Sequence, residues 1–166
     1  MNNNLLFQIT IKQQILLLSR MFVVPFGMVF ITIYFDLSID AFIYIFALLF
    51  AIDILPTIAI HFNYWQENKN CIIEINKDKK VLVVINGRDK NFEVGFDEIE
   101  FFYFFYSIVY NTGWHSFGQY RYCKLVFKDQ TQINITCLMV NDIENTLQNT
   151  FNLNPIKRRA LLCLIK

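Results

Sequence analysis

Two long apolar runs dominate the pattern of hydrophobic and polar positions along the chain. The first is MFVVPFGMVFITIYF (21–35), and the second, after the polar gap DLSID, is AFIYIFALLFAIDILPTIAIHFNYW (41–65). A bilayer core of about 30 Å takes about 20 helical residues to cross. Residues 15–35 and 41–62 have that length, so the pattern predicts a transmembrane helical hairpin within residues 15–65. A hairpin buried in a soluble domain is the alternative, but the rest of the chain is too short to cover it.

The positions of lysine and arginine predict how this hairpin is oriented. Lys12 and Arg20 precede the first span, and the second is followed by Lys69, Lys77, Lys79 and Lys80. The loop between the spans has Asp36 and Asp40 but no Lys or Arg. Because loops rich in Lys and Arg stay on the cytoplasmic side, we expect both termini to face the cytoplasm.

Asp53 is the unusual residue of the second span, since an acidic side chain in an apolar helix is costly and usually functional or paired. Folding the hairpin about residue 38 puts Asp53 about one helical turn deeper than Arg20. Two interpretations remain open: an internal Arg20–Asp53 ion pair, or an ion or proton relay that also uses Thr32, Thr57 and His61. Pro56 removes a backbone donor, so we expect the helix to bend there.

After residue 65 the hydrophobic period changes to that of β-strands. Residues 66–166 are predicted to form a sheet domain with a C-terminal tail, and residues 1–14 a short strand or surface segment. Six strands are legible: CIIEIN, KVLVVIN, NFEVGF, EFFYFFYSIVY, YRYCKLVFKD and TQINITCLMV. Asn141 or Asp142 then caps a helix, NDIENTLQNTF. The tail ALLCLIK is too short to span a membrane and is expected to be a strand or a packed helix.

Three segments carry a resemblance to a known family: IEINKDKKVLVV, NFEVGFDEIEFF and YRYCKLVFKDQTQINITCLMVNDIENTL. Their order of strands, polar turns and closing helix resembles the bacterial PH-like domain family. With the two preceding spans, the chain resembles small membrane proteins of the YcxB-like and bacterial PH type. The resemblance implies an α+β membrane protein: a two-helix hairpin followed by an antiparallel PH-like sheet or barrel with a C-terminal closing helix. It also implies the inner membrane of a bacterium. A full PH barrel has seven strands, so the seventh would lie within Glu100–Tyr110 or come from LLFQITI.

Two basic clusters are candidate lipid-binding sites. Resemblance to lipid-binding PH domains implies headgroup contact through the first hairpin turn, with Lys77, Lys79 and Lys80. Lys157, Arg158 and Arg159 follow the closing helix, and basic residues beside an anionic leaflet each contribute about 1 kcal/mol. A solvated turn and ordinary positive-inside topology explain the same residues without binding.

Two aromatic features are candidate contact surfaces. The loop TGWHSFG carries Trp114 and His115, which either contact membrane or a partner or fold back over the sheet. FFYFFY (101–106) places aromatic side chains on both faces of one strand. One face belongs to the core, and the other needs cover from the chain itself, the bilayer or a second subunit in a homo-oligomer.

The sequence contains no motif for catalysis, a cofactor or a metal. Cys71, Cys123, Cys137 and Cys163 lie far apart and lack the paired spacing of a zinc site, so we expect buried free thiols. A net charge of +1 gives no basis for nucleic-acid binding. We therefore expect a non-enzymatic membrane protein whose PH-like domain binds a lipid or a protein partner. The alternatives are a small immunity or accessory protein, oligomeric or pore-forming, and an ion-conducting oligomer that uses Asp53.

Overall fold

The computed structural model describes residues 4–86, 91–110 and 115–165. The chain begins with a short strand, β1 (Asn4–Phe7), and then forms a helical hairpin. The first arm consists of α1 (Ile11–Ser19), a 3₁₀ turn (Arg20–Phe22) and α2 (Val23–Tyr34). The second arm consists of α3 (Ile39–Leu49), a π-helical segment (Phe50–Ile54) and α4 (Leu55–Asn68).

Polar caps explain where the two arms of the hairpin begin. The Thr10 hydroxyl accepts a hydrogen bond from the N–H of Gln13, and the Ser38 hydroxyl accepts one from Ala41. Each therefore satisfies one of the backbone donors that a helix start leaves unpaired.

Both arms are long and apolar enough to cross a membrane. Ile11–Tyr34 has 24 residues and Ile39–Asn68 has 30, and the most apolar stretches within them have mean hydropathies of 2.1 and 2.3. Their most apolar stretches are 12 % and 22 % buried. The apolar side chains of the hairpin thus point mainly outward, whereas the helices of a soluble core would bury them.

Eight strands form two four-stranded sheets among the described residues. In the first sheet β1, β2 (Cys71–Asn76), β3 (Val81–Asn86) and β4 (Phe92–Gly95) pair antiparallel in that order. The second sheet has the order β7-β6-β5-β8, built from β5 (Ile99–Ser107), β6 (Arg121–Phe127), β7 (Gln132–Thr136) and β8 (Ile156–Ala160). β8 runs parallel to β5, while β5, β6 and β7 pair antiparallel.

The main core lies between the two sheets and the closing helix α5 (Ile143–Phe151). Ile73 and Leu82 come from the first sheet, Phe102 and Leu125 from the second, and Leu147 from α5; all five are fully buried. The expected α+β order of hairpin, sheet and closing helix is confirmed. The expected barrel is not confirmed, because no pairing between described strands joins the two sheets. The sheets instead stack as two layers.

The sheet domain begins before the hairpin, unlike the predicted division at residue 66. β1 pairs with β2 from Asn4↔Asn76 to Phe7↔Ile73, and Phe7 is buried in the main core. The option that LLFQITI supplies a strand is therefore confirmed, and the hairpin is an insertion between β1 and β2.

The part of the hairpin nearest the sheet domain packs on the outer face of the second sheet. A second buried cluster lies there. It combines Leu17, Ile60 and Tyr64 of the hairpin with these residues of the sheet domain: Phe117, Tyr120, Tyr122, Cys137, Leu138 and Cys163. Phe105 stacks on Tyr122 with centroids 4.6 Å apart. The chain thus covers part of the aromatic outer face of β5, while Phe101 and Tyr103 remain partly exposed.

Candidate functional site at the junction of the hairpin and the sheets

Asp53 lies at the irregular point of the second arm and is 3 % exposed. In the π-helical segment the backbone N–H of Leu55 donates to the carbonyl of Phe50, five residues back. Pro56 follows directly and has no N–H to donate. The irregularity expected at Pro56 thus appears as a π-helical turn, a feature that often marks functional positions.

The Asp53 carboxylate is held by the loop between β5 and β6. Oδ1 accepts the backbone N–H of Ser116 at 2.8 Å, and Oδ2 accepts the Ser116 hydroxyl at 2.8 Å. The imidazole Nδ1 of His115 lies 3.4 Å from Oδ1. Both carboxylate oxygens therefore have partners from the sheet domain.

The predicted Arg20–Asp53 pair is wrong for the described residues. Arg20 is exposed in the 3₁₀ turn of the first arm, and the ion contact of Asp53 is with His115. Counting residues from the hairpin turn gives the depth of a side chain but not the direction in which it points. The loop at 115–119 fills the position that Arg20 was expected to take.

A second polar contact between the hairpin and the sheet domain lies about two helical turns after Asp53 along the second arm. His61 Nδ1 lies 2.9 Å from the Tyr120 hydroxyl, and Tyr64 packs edge-on against Tyr120. Burial raises the pKa of Tyr120 well above its ordinary value, so the hydroxyl keeps its proton. Sequence reasoning singled out His115 and His61 but missed Ser116 and Tyr120, because a loop serine and one tyrosine among eight carry no distinguishing signal.

An apolar cavity of about 400 Å³ opens beside Asp53, between the two arms. It is lined by Gly27, Met28, Ile31, Leu49, Ile52, Asp53 and His115. Asp53 and His115 are its two ionisable lining residues, whereas a relay needs a continuous row of polar groups.

His115 stacks on Phe117 with centroids 5.0 Å apart and thus folds back against the protein. This agrees with the interpretation of the loop as packing over the sheet. Trp114, the other loop residue predicted to make contacts, lies outside the described residues.

The basic residues after the closing helix lie on β8 and have different surroundings. Lys157 Nζ lies 2.8 Å from Glu144, and this hydrogen bond and charge raise the pKa of Lys157. The Arg158 guanidinium lies over Tyr103 at 5.4 Å, and that of Arg159 over Tyr106 at 5.7 Å. The charge of Lys157 is therefore balanced by Glu144, whereas the two arginines lie over aromatic rings without a carboxylate partner among the described residues.

Arg121 belongs to the same end of the sheet and was not predicted. It pairs with Tyr106 across β5 and β6, and its guanidinium lies over Tyr110 at 5.3 Å. It also donates to the carbonyls of Gln119 and Asn141. In the part of the chain that the structure describes, no carboxylate pairs with Arg121, Arg158 or Arg159.

The other basic cluster lies far from the ends of the hairpin. Lys77, Lys79 and Lys80 are exposed in the turn between β2 and β3. Cys71, at the other end of β2, follows α4 after two residues. Five strand steps of about 3.4 Å separate these ends by about 17 Å. Lipid binding by these lysines stays a prediction, and their position favours a solvated turn.

Neither metal nor thiol chemistry has a site among residues 4–86, 91–110 and 115–165. No group of three or more His, Cys, Asp or Glu side chains could hold a metal ion there. All four cysteines are free and buried, as expected.

A comparison with protein families identifies the architecture. A family model described as a PH domain matches residues 6–147. The chain belongs to this PH domain family. No curated protein and no solved structure matches it.

The extent of the match agrees with the fold. It begins within β1 and ends within α5, so the hairpin lies inside the PH domain's matched sequence. β8 and the tail follow it. PH-like domains commonly bind lipids or proteins and are generally non-catalytic, so the expected class of function is supported at that level.

Proposed function

We propose that this protein is an integral membrane protein whose hairpin spans the bilayer twice and whose non-enzymatic PH domain binds anionic lipid headgroups of the adjacent leaflet. The observation that carries the proposal is the outward-facing apolar surface of the hairpin, which is continuous over both arms. Exposed apolar surface of this extent marks a membrane or protein contact. The arms have the length of bilayer spans.

The distribution of basic residues supports the orientation and the ligand. Lys and Arg flank the hairpin at its domain end and are missing from its turn, which supports our proposal that both termini lie in the cytoplasm of a bacterial cell. Three arginines without a carboxylate partner among the described residues lie at the end of the second sheet that is nearest to α4: Arg121, Arg158 and Arg159. Each basic residue at an anionic surface adds about 1 kcal/mol of attraction.

Membrane integration and topology are tested together. The protein should stay with membranes after alkaline carbonate extraction, and reporters that work only in the cytoplasm should be active at both termini. A reporter in the loop at Asp36–Asp40 should be inactive. Release of the protein by carbonate would exclude the spanning hairpin, and an active loop reporter would reverse the orientation.

The lipid ligand is tested by comparing the two basic clusters. Detergent-purified protein, wild type or variant, is titrated with phosphatidylglycerol and phosphatidylcholine, and bound lipid is counted by native mass spectrometry. Replacing Arg158 and Arg159 with Gln should weaken phosphatidylglycerol retention about 30-fold, the equivalent of two contacts of about 1 kcal/mol each. Replacing Lys77, Lys79 and Lys80 with Gln is the matched control and should change it less than twofold. Equal retention by wild type and the arginine variant would refute the lipid proposal and favour a protein partner.

The observations do not favour the ion-conducting alternative. Both oxygens of Asp53 are engaged by Ser116, and the cavity lining is otherwise mostly apolar. Proteoliposomes with wild-type protein and with Asp53→Asn should therefore show the same background ion flux as empty liposomes. Flux that is present in wild type and lost in Asp53→Asn would restore this alternative.

A further inference from the structure

The depth of the PH domain relative to the bilayer follows from the hairpin, if the hairpin spans as proposed. A span has roughly 20 residues. When these are counted from the polar turn of the hairpin, the hydrocarbon boundary on the side of the sheet domain lies near Leu16 in the first arm and near Ile60 in the second. Asp53 is seven residues before Ile60. At about 1.5 Å per residue, its backbone lies about 10 Å inside the hydrocarbon.

The loop before β6 is bound at that depth. The backbone N–H of Ser116 is 2.8 Å from Asp53, so this part of the sheet domain reaches the level of Asp53. Tyr120, at the other end of the loop segment, bonds His61 near the hydrocarbon boundary. Residues 115–120 therefore run from inside the hydrocarbon to its edge.

The surroundings of this segment meet the conditions for backbone at membrane depth. Non-helical backbone is tolerated there when it is buried in protein and its polar groups are paired. Ser116, Phe117, Gly118 and Tyr120 are buried. The Gly118 N–H donates to His115, and the Tyr120 N–H donates to Phe117. The segment is also closely packed against the protein, because a Cβ added at Gly118 would lie 2.8 Å from the carbonyl oxygen of Val109.

The C-terminal tail is bound just outside the boundary, about 5 Å further towards the sheet domain. The amide of Asn63 exchanges two hydrogen bonds with the backbone of Ile165, at 2.8 and 3.1 Å, three residues beyond Ile60. Next to this contact the tail exposes Leu164 and Leu161. Leu161 is tied to Ser107, which precedes the exposed Ile108. Ile58 and Phe62 of α4 are also exposed apolar side chains in the stretch that Asn63 follows.

We propose that the hairpin-side edge of the PH domain is immersed in the bilayer: residues 115–120 lie there buried in protein, while the exposed side chains of Ile108, Leu161 and Leu164 contact lipid acyl chains at the hydrocarbon boundary. Asp53 is the docking point that holds the loop at this depth. This inference rests on the proposed function, because it requires the hairpin to span.

Nitroxide labels report depth by collision with oxygen, which concentrates in hydrocarbon, and with a soluble nickel chelate. Labels are placed at Leu164→Cys and Leu161→Cys in full-length protein reconstituted in phosphatidylglycerol–phosphatidylcholine vesicles, with the native cysteines replaced by alanine. Ile85→Cys is the matched control for Leu164, since both residues are 40 % exposed. Leu6→Cys, at 57 %, is the control for Leu161, at 65 %. Phe30→Cys reports the hairpin alone.

The ratio of oxygen collisions to chelate collisions should be several-fold higher for labels at Leu164 and Leu161 than for labels at Ile85 and Leu6, and it should be highest for Phe30, which lies deepest. If the edge labels behave like Ile85 and Leu6 while Phe30 reads as buried in hydrocarbon, the immersed edge is refuted and the spanning hairpin stands. If Phe30 also favours the chelate, the proposed function and this inference both fail.

Discussion

Asp53 receives two hydrogen bonds from a single residue, the backbone N–H and the hydroxyl of Ser116. Hydrogen bonds to a charged acceptor are among the stronger polar contacts in proteins, and a buried partner left alone costs the full desolvation penalty. The pair therefore fixes the loop before β6 to the second arm of the hairpin. Arg20, which is exposed, has no part in this attachment.

Replacing Asp53 with alanine should lower the free energy of unfolding by about 2–3 kcal/mol, because it leaves the buried N–H and hydroxyl of Ser116 unpaired. Ser116→Ala should cost less, and the double variant less than the sum, as expected for residues in contact. Denaturant unfolding in detergent micelles measures all three. Arg20→Gln is the control and should change stability by no more than about 0.5 kcal/mol; a loss equal to that of Asp53→Ala would make Arg20 the partner after all.

Burial of thiols predicts a loss of stability at alkaline pH. The pKa of Cys71 is raised to about 11 by burial and the nearby Glu67, that of Cys137 to about 11 by burial, and that of Cys163 to about 12 by burial and Cys137. In the unfolded chain these thiols ionise near 9.0, so the folded state binds more protons above that pH. The contribution is complete below about pH 9 and is lost as the pH rises towards 11 and 12.

The denaturant midpoint should therefore fall across that alkaline window, and Cys137→Ala should show a shallower fall than wild type. Neutral buried thiols should also resist maleimide until the protein unfolds. A midpoint that stays constant between pH 9 and 11 would contradict the assigned burial.

At the scale of elements, hydrophobic period predicts those that bury one face. The strands from β2 to β7 and the closing helix have such a pattern, whereas the hairpin is predicted by the length of its two apolar runs. β8 does not, because its residues IKRRA are mostly exposed and are held by pairing with β5. The same limit applies to the site: Asp53 stands out as a carboxylate in an apolar run, but which loop reaches it depends on the packing of distant segments.

β1 gives the element-scale test, since it lies outside the predicted domain. Phe7→Ala should cost about 3–5 kcal/mol, the usual penalty for deleting a buried phenylalanine. Leu6→Ala, on the exposed face of the same strand, should cost less than about 0.5 kcal/mol. Equal and small effects of both changes would mean that β1 does not belong to the core.

At the scale of the whole molecule, the hairpin and the sheets form one packed body. The second buried cluster contains side chains from both, with Ile60 and Tyr64 of α4 against Tyr120 and Leu138 of the domain. An anchor on a flexible linker would let the PH domain move freely, whereas this contact gives it a fixed orientation. If the hairpin spans as proposed, the arginine-bearing end of the second sheet is thereby held towards one leaflet.

Ile60→Ala should therefore destabilise the sheet domain as well as the hairpin, by about 2–5 kcal/mol. Ile58→Ala lies on the outward face of the same helix and serves as the control, with an expected change below about 1 kcal/mol. Hydrogen exchange of β6 and β7 amides in micelles measures the effect on the sheets. Unchanged exchange in Ile60→Ala would show that the two parts fold independently.

The pairing of β1 with β2 also sets the order of biogenesis. β1 is synthesised first, but its partner residues Ile73–Asn76 follow the entire hairpin. Both helices of the hairpin must therefore be synthesised before the first sheet can close. Cutting the gene at the hairpin's end would yield a sheet domain that lacks Phe7 and exposes the bare edge of β2, an unpaired strand prone to aggregation. If the hairpin spans as proposed, membrane insertion is a step in the folding of the PH domain itself, and soluble expression of residues 66–166 alone should fail.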